Sequence, residues 1–245
     1  MSDATDFLRT PIWYPVLAGH TFLTSFVKLR SDSIAALIAG KSSVDDDPPN
    51  LAVKAVIEDL RQPMANIPGN CFVTVDRCAP TDTERFRSKR GAVFSPESAW
   101  KFLCRSEKVR ESARRGEVEY LCLRPFRRMN RTREFRLFIR DGKLSAMSQY
   151  YLIRHFRRLE RMRNFYWNQA EEFVERIAWM MPIKTLVMDI YFTSSDQILI
   201  IDLNPWGEPT DPLMLRSWDR DWSKPAGIVL MDPPTRISGD VNISF

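Results

Sequence analysis

Residues Glu134 to Gln149, EFRLFIRDGKLSAMSQ, leave the chain little choice of local structure. Two strand-like runs flank Asp141-Gly142, the kind of dipeptide that supplies the two positive φ values of a two-residue type I′ turn. An antiparallel hairpin follows. Alternation sets Phe135, Leu137 and Ile139 on one face with Leu144 and Ala146, the buried side, and puts Glu134, Arg136 and Gln149 on the other. An arginine between apolar strand positions has two readings: a phosphate ligand, or an ion-pair partner of Glu134 or Glu119.

A second hairpin is read from Leu186 to Phe192 (LVMDIYF), the polar turn Thr193 to Asp196, and the stretch QILIIDLNPWGEPTDPL that begins at Gln197. In the returning strand Ile198, Ile200, Asp202 and Asn204 share one face, and Leu199, Ile201 and Leu203 the other. Pro205, Gly207 and Pro209 end the strand just after Asn204. Equidistance from the turn brings Asp189 opposite residues 200 to 202. Two carboxylates and an amide then converge, which is unfavourable unless a cation or a basic side chain lies between them. Such hard oxygen donors suit Mg²⁺, whose remaining ligands are waters and nucleotide phosphates. The alternative is an Asp-x-Asn whose side chains satisfy loop amides.

With 44% hydrophobic and 27% charged residues over 245 positions, the chain has an ordinary globular composition and length for one large or two small domains. No stretch is apolar enough for a membrane span, and MSDATDFLRT lacks the form of a signal peptide, so a cytoplasmic location is expected. Cys71, Cys78, Cys104 and Cys122 show no C-x-x-C spacing and read as buried free thiols. His20 and His155 stand apart, and no Ser/His/Asp or Cys/His constellation is visible. The net charge of +5 suits an anionic partner.

The opening segment carries Pro11, Trp13, Tyr14 and Pro15, and Phe22 to Leu29 alternates as a strand. Helices are expected over Ser31 to Ala39, Leu51 to Gln62 with Pro63 as its stop, Ser95 to Cys104, and Asn164 to about Met181. The last carries an apolar stripe of Phe165, Phe173, Val174, Ile177 and Met180. Cys71 to Val75 and Tyr120 to Arg124 read as strands. Gly40-Lys41-Ser42 is no phosphate loop, because Ala35 stands where the first glycine must be. Ser42 to Asn50, with Asp45 to Asp47 and Pro48-Pro49, is read as a solvated loop. Arg127, Arg128, Arg131 and Arg133 form a guanidinium-rich loop suited to solvent or to polyphosphate. Arg154, Arg157, Arg158, Arg161 and Arg163 mark a basic surface. An RNA-binding module, resting on these runs and on Phe126, Phe156 and Phe165, is the weakest reading.

Two hairpins with a long helix between them, arginine on the first and a D…D-x-N set on the second, form an ATP-grasp-like pattern. The detailed wording, Tyr120-Leu-Cys-Leu-Arg124, Glu134-Phe135-Arg136, Ser148-Gln149, Met188-Asp189 and Ile201-Asp202-Leu-Asn204-Pro205-Trp206-Gly207, resembles the cell division cycle protein 123 family. Trp13-Tyr14-Pro15, His20-Thr21 and Ala79-Pro80-Thr-Asp82 follow that family's order, so the resemblance runs from about residue 12 to 218.

The resemblance implies an α+β, ATP-grasp-like fold with two lobes of antiparallel sheet flanked by helices. The expected lobes are 1–118, with a small subdomain at about 70–118, and 119–218, followed by a tail, 219–245, with no assigned chemistry. It implies ATP and Mg²⁺ as ligands: Asp189, Asp202 and Asn204 holding the metal, Arg136 meeting phosphate, Leu123 and Arg124 lining the adenine hinge. Thr74 stands where that family has a lysine, which leaves Arg77 or Lys89 to supply the charge. The implied role is an assembly chaperone for the translation initiation factor two complex, with its gamma subunit as partner. The alternative is an ATP-dependent carboxylate–amine ligase.

Overall fold

The computed structural model describes residues 6–44 and 50–234. The acidic and proline-rich part of the expected solvated loop, residues 45–49, lies outside the described residues. Within them, eight strands form two sheets, each with its own helices and its own apolar core.

The chain opens with α1 (Thr10–Leu17), with Pro11 in the first turn, where no donor is lost. Next come β1 (Ser25–Lys28), α2 (Ser31–Ile38), α3 (Leu51–Ala65), β2 (Cys71–Val75), α4 (Glu84–Lys89), α5 (Pro96–Cys104), α6 (Glu107–Arg114) and β3 (Tyr120–Pro125). The strands pair antiparallel in the order β1-β3-β2. Helix α3 runs through Pro63 instead of stopping there, and buries Val53, Val56, Ile57, Leu60 and Met64. Helix α5 begins with a capping box in which Ser95 and Ser98 bond each other's backbone amides. The strand β3, which the expected boundary at residue 118 gives to the second lobe, is the centre of the first sheet. Conversely Leu8, Trp13 and Leu17 at the N-terminus pack into the core of the second sheet. The four cysteines are buried free thiols.

The second sheet contains β4 (Glu134–Arg140), β5 (Lys143–Gln149), β6 (Leu186–Phe192), β7 (Ile198–Asn204) and β8 (Gly227–Val229), in the order β7-β6-β4-β5-β8. Asp141 and Gly142 have φ values of 53° and 75°, the two positive values that the β4–β5 turn needs. Two helices, α7 (Arg157–Arg161) and α8 (Arg163–Ile177), lie between the hairpins. Helix α8 buries Tyr166, Ala170, Phe173, Val174 and Ile177, and Phe165 sits off that stripe at 36% exposure. On the opposite face Phe138, Ala146 and Val187 meet Trp206, Trp218 and Trp222, whose rings contact one another and Phe138. The segment expected as a tail is therefore structural. Trp222 closes this cluster, and β8 pairs parallel with β5.

Two β-bulges revise the expected strand faces. Ile201 is the extra residue between the pairs Asp189↔Asp202 and Ile190↔Ile200. Ile198, Ile200 and Leu203 share the core face as a result, and Asp202 and Asn204 move to the other. Ser145 is the extra residue between the pairs Phe138↔Ala146 and Ile139↔Leu144. Ala146 accordingly lies with Phe138, not with Leu144, and Gln149 pairs with Phe135, not beside Arg136. The Gln149 amide instead donates to the carbonyls of Tyr151 and Arg154, fastening the following loop.

Gly91 shows how tightly the first lobe is closed. Its φ is 79°, and a Cβ there would lie 2.6 Å from Phe72 Cε2 and 2.9 Å from Phe102 Cζ. Gly91→Ala is expected to cost about 1–3 kcal/mol in urea unfolding, since strain and overpacking act together. Displacement of the Phe72 ring would also deform the cavity described below.

Candidate functional site

In-register pairing lines up four residues across four strands: Ser148 on β5, Arg136 on β4, Asp189 on β6 and Asp202 on β7. Partners in register share a face, here the one turned away from the Phe135 and Met188 core. Arg136 meets Asp189 as a fork, Nε to Oδ1 at 2.7 Å and Nη2 to Oδ2 at 2.8 Å, with both side chains almost wholly buried. Its Nη1 donates to the Asp211 carbonyl at 2.6 Å, and the Met214 amide donates to Ser148 Oγ at 3.1 Å. The loop after β7 is thereby drawn across the row. Asn204 Nδ2 donates to Asp189 Oδ2 at 3.3 Å.

Asp202 has no such fork. Its Oδ1 accepts from the amide of Leu203 at 2.9 Å. Burial, and then the charge of Asp189, push its carboxyl up to about 7, with Arg124 opposing. Arg124 itself is buried on β3, where desolvation lowers its pKa and Asp202 works against that fall. It crosses between the sheets: Nη1 donates to the carbonyl of the bulged Ile201 at 2.8 Å, and Nε to Thr24 Oγ1 at 3.1 Å. Thr21 Oγ1 adds a second crossing, to the Ile200 carbonyl at 2.7 Å. The bulge thus both turns Asp202 and presents a carbonyl to the other lobe.

Beside Arg124 lies a cavity of about 140 Å³, walled by Phe22, Phe72, Phe86, Phe126, Met129 and Ile201 and rimmed by Arg90, Arg127, Arg131 and Glu134. The walls are mostly apolar and the rim is largely cationic, the usual form of a site that takes a flat apolar group with an anionic tail. Burial raises the Glu134 carboxyl to about 7, with Arg131 opposing and Asp189 adding.

The sequence-derived site residues divide as follows. Asp189, Asp202, Asn204 and Arg136 converge, with Arg136 held by Asp189. Arg124 lines the cavity, but the Leu123 side chain is wholly buried in the first core, between Ser25 and Val73 in the ladder, and the wall continues through Pro125, Phe126 and Arg127. Thr74 pairs with Cys122 on the Arg124 face of β3, without an ammonium. Arg77 is engaged 3.7 Å from Glu117, so it does not replace one, and Lys89 lies on the exposed last turn of α4. Phe22, Phe86 and Arg90 are cavity residues that no local pattern marked, because separate segments bring them together, and Glu134, read on the polar face of β4, joins them.

The donors present suit a divalent cation only in part. Among the described residues no group of three or more His, Cys, Asp and Glu side chains could hold one. Two carboxylates and an amide remain, Asp202, Asp189 and Asn204, the last able to offer Oδ1 by rotation of its amide. A Mg²⁺ ion fits that set because it keeps several waters and takes phosphate oxygens. Asp202, costly to charge beside Asp189, is the group whose charge such an ion would stabilise.

The family described as D123 matches residues 97–221, just over half of the chain and the span that contains this row. The chain belongs to the D123 family. The cell division cycle protein 123 of Candida glabrata is 34% identical over 101 residues, 40% of this D123 chain and 28% of that protein. The translation initiation factor eIF2 assembly protein of Danio rerio is 31% identical over 87 residues, 35% of this chain and 25% of that one. The matched span is thus about a quarter of the length of these relatives. Among solved structures, Cdc123 from Schizosaccharomyces pombe superposes with a TM-score of 0.80 at 17% identity, covering 96% of this chain and 98% of that one. The resemblance read from the sequence motifs and the α+β fold class are both upheld by these matches.

Proposed function

We propose that this protein binds ATP with Mg²⁺ between its two lobes, in an ATP-grasp-like manner. In this reading it acts in the cytoplasm as an assembly chaperone for a translation initiation factor two complex, engaging the gamma subunit. The observation that carries the nucleotide reading is the placement of Asp202. A carboxylate raised to about 7 stands beside a second carboxylate, next to an apolar cavity with a cationic rim. Adenine would enter between Phe72 and Ile201, and the triphosphate would run toward the Arg136–Asp189–Asp202 row. Arg90, Arg127 and Arg131 would supply the charge that Thr74 lacks. The assembly role is supported by relatives such as that of Danio rerio, which are named translation initiation factor eIF2 assembly proteins.

Calorimetric titration of ATP, with Mg²⁺ and then with EDTA, tests the reading when the recovered sample is also assayed for ADP and AMP. Binding that requires Mg²⁺ and yields neither product is the expected result. Turnover would favour the ligase alternative, and absence of binding would remove the nucleotide from the account.

A further inference from the structure

The second lobe carries a groove of about 930 Å³ on its outer surface, lined by Thr132, residues 153–158 and residues 231–234. It is built by the loop after β5 and by the chain that follows β8. His155 Nδ1 lies 2.8 Å from the Met231 carbonyl, and Arg163 Nη2 donates to the Ile228 carbonyl at 3.1 Å, so the two walls are fastened to each other.

The arginines here contrast with four on the helices of the first lobe. On α3, α4 and α6, Arg61, Arg87, Arg110 and Arg114 each face a glutamate three or more positions away, a solvated pairing of the ordinary kind. Among the described residues, Arg154, Arg157 and Arg158 form no ion pair with any carboxylate, and Glu160 on the same helix lies 3.7 Å from His155 instead. In the groove three guanidiniums face one carboxylate, Asp232. Ile153, 83% exposed, stands at its rim, with Phe156, Met231 and two prolines as apolar wall.

We infer that this groove binds an acidic peptide segment of a protein partner, one with carboxylates on either side of an apolar side chain. Charge complementarity sets the sign of the partner, and Ile153 supplies a contact for the apolar residue. Single-stranded RNA fits less well, because the one phenyl ring lining the groove, Phe156, already has the Arg154 guanidinium 5.9 Å over it. The inference does not depend on the nucleotide reading, since none of these three arginines lies in the cleft.

The test is fluorescence anisotropy with the full chain and three labelled probes: a glutamate–leucine peptide, an all-glutamate peptide of equal length, and a uridine oligonucleotide. The expected order of affinity is glutamate–leucine peptide first, all-glutamate peptide second, RNA last, with peptide binding weakening as salt rises. The triple variant Arg154→Gln, Arg157→Gln and Arg158→Gln should lose about tenfold or more of peptide affinity. Ile153→Ser should abolish the preference for leucine and leave the all-glutamate affinity unchanged, which separates a specific groove from general attraction to a basic protein. Unchanged peptide affinity in the triple variant, tighter binding of RNA than of either peptide, or no peptide binding at all would each overturn the inference. The far-ultraviolet circular dichroism and the urea midpoint of the triple variant should match those of the parent chain, so loss of peptide binding would not be confused with unfolding.

Discussion

Asp202→Asn is expected to lower the proposed Mg²⁺-dependent ATP affinity by about a hundredfold or more and at the same time to stabilise the metal-free protein at pH 8. The first effect follows from removing the principal anionic oxygen of the candidate cation site while keeping its shape. The second follows from linkage. A carboxyl raised to about 7 in the folded state, against an ordinary value of 3.8, binds its proton more tightly when folded. Its contribution to stability is fully present below about pH 4 and is lost as pH rises through 7. At pH 8 the parent carries an unfavourable charge that asparagine lacks, a difference on the order of 1–2 kcal/mol. Thermal unfolding between pH 5 and 8 without Mg²⁺ should show the parent losing stability and the variant losing less, the remainder coming from Glu134, raised by burial to the same range. Cation binding runs the other way, because it needs the carboxylate, so ATP affinity in the parent should climb through pH 7. A variant that still binds ATP with Mg²⁺, or one that is no more stable at pH 8, would locate the metal or the strain elsewhere.

Asp189→Ala is expected to be the most damaging single change in the cleft, costing about 3–5 kcal/mol in urea unfolding. Arg136 loses both of its fork bonds and remains buried with its charge uncompensated, left with the Asp211 carbonyl and the face of Tyr150 5.4 Å away. Burial alone would lower the pKa of Arg136. It is Asp189 that holds it raised. Replacing both partners, Arg136→Met with Asp189→Leu, should recover most of that loss, since a buried pair exchanged for packed apolar groups is often neutral. The double variant nonetheless should not bind ATP. A fold restored without binding would assign the pair to ligand contact as well as to packing. Restored binding would reduce it to a structural bridge.

Much of the molecule was legible in its residues because the signals are short-range. Asp141-Gly142 determines a hairpin because few residues tolerate its two positive φ values. Ser95-Pro96 starts a helix by supplying an acceptor and a preset φ, and Pro205 ends β7 because it has no amide to donate. Counting from the turn brings Asp189 opposite residues 200 to 202, a span that holds its partner Asp202, and the motif set around Asp202-Leu-Asn204 resembles the family to which the chain belongs.

The errors arose where the count of two per pleat failed. One extra residue in a strand reverses every face beyond it, and nothing in QILIIDLN announces that Ile201 will be that residue. The bulged carbonyl of Ile201 is engaged from outside its own strand, by Arg124 of the first lobe, a partner that no local pattern in β7 supplies. The same holds for the cavity, whose walls come from Phe22, Phe72, Phe86 and Phe126, and for the lobe boundary that α1 crosses with Trp13 and Leu17. By itself the sequence determined strands β1 to β7 and helices α2, α3, α5 and α8, the pairing across the two short turns, and the identity of the residues in the acidic row. Which face that row occupies, and what stands across from it, was decided by tertiary contacts. A local pattern records the geometry of neighbouring residues, whereas a bulge or a cavity wall is stable only through groups that the chain brings from far away.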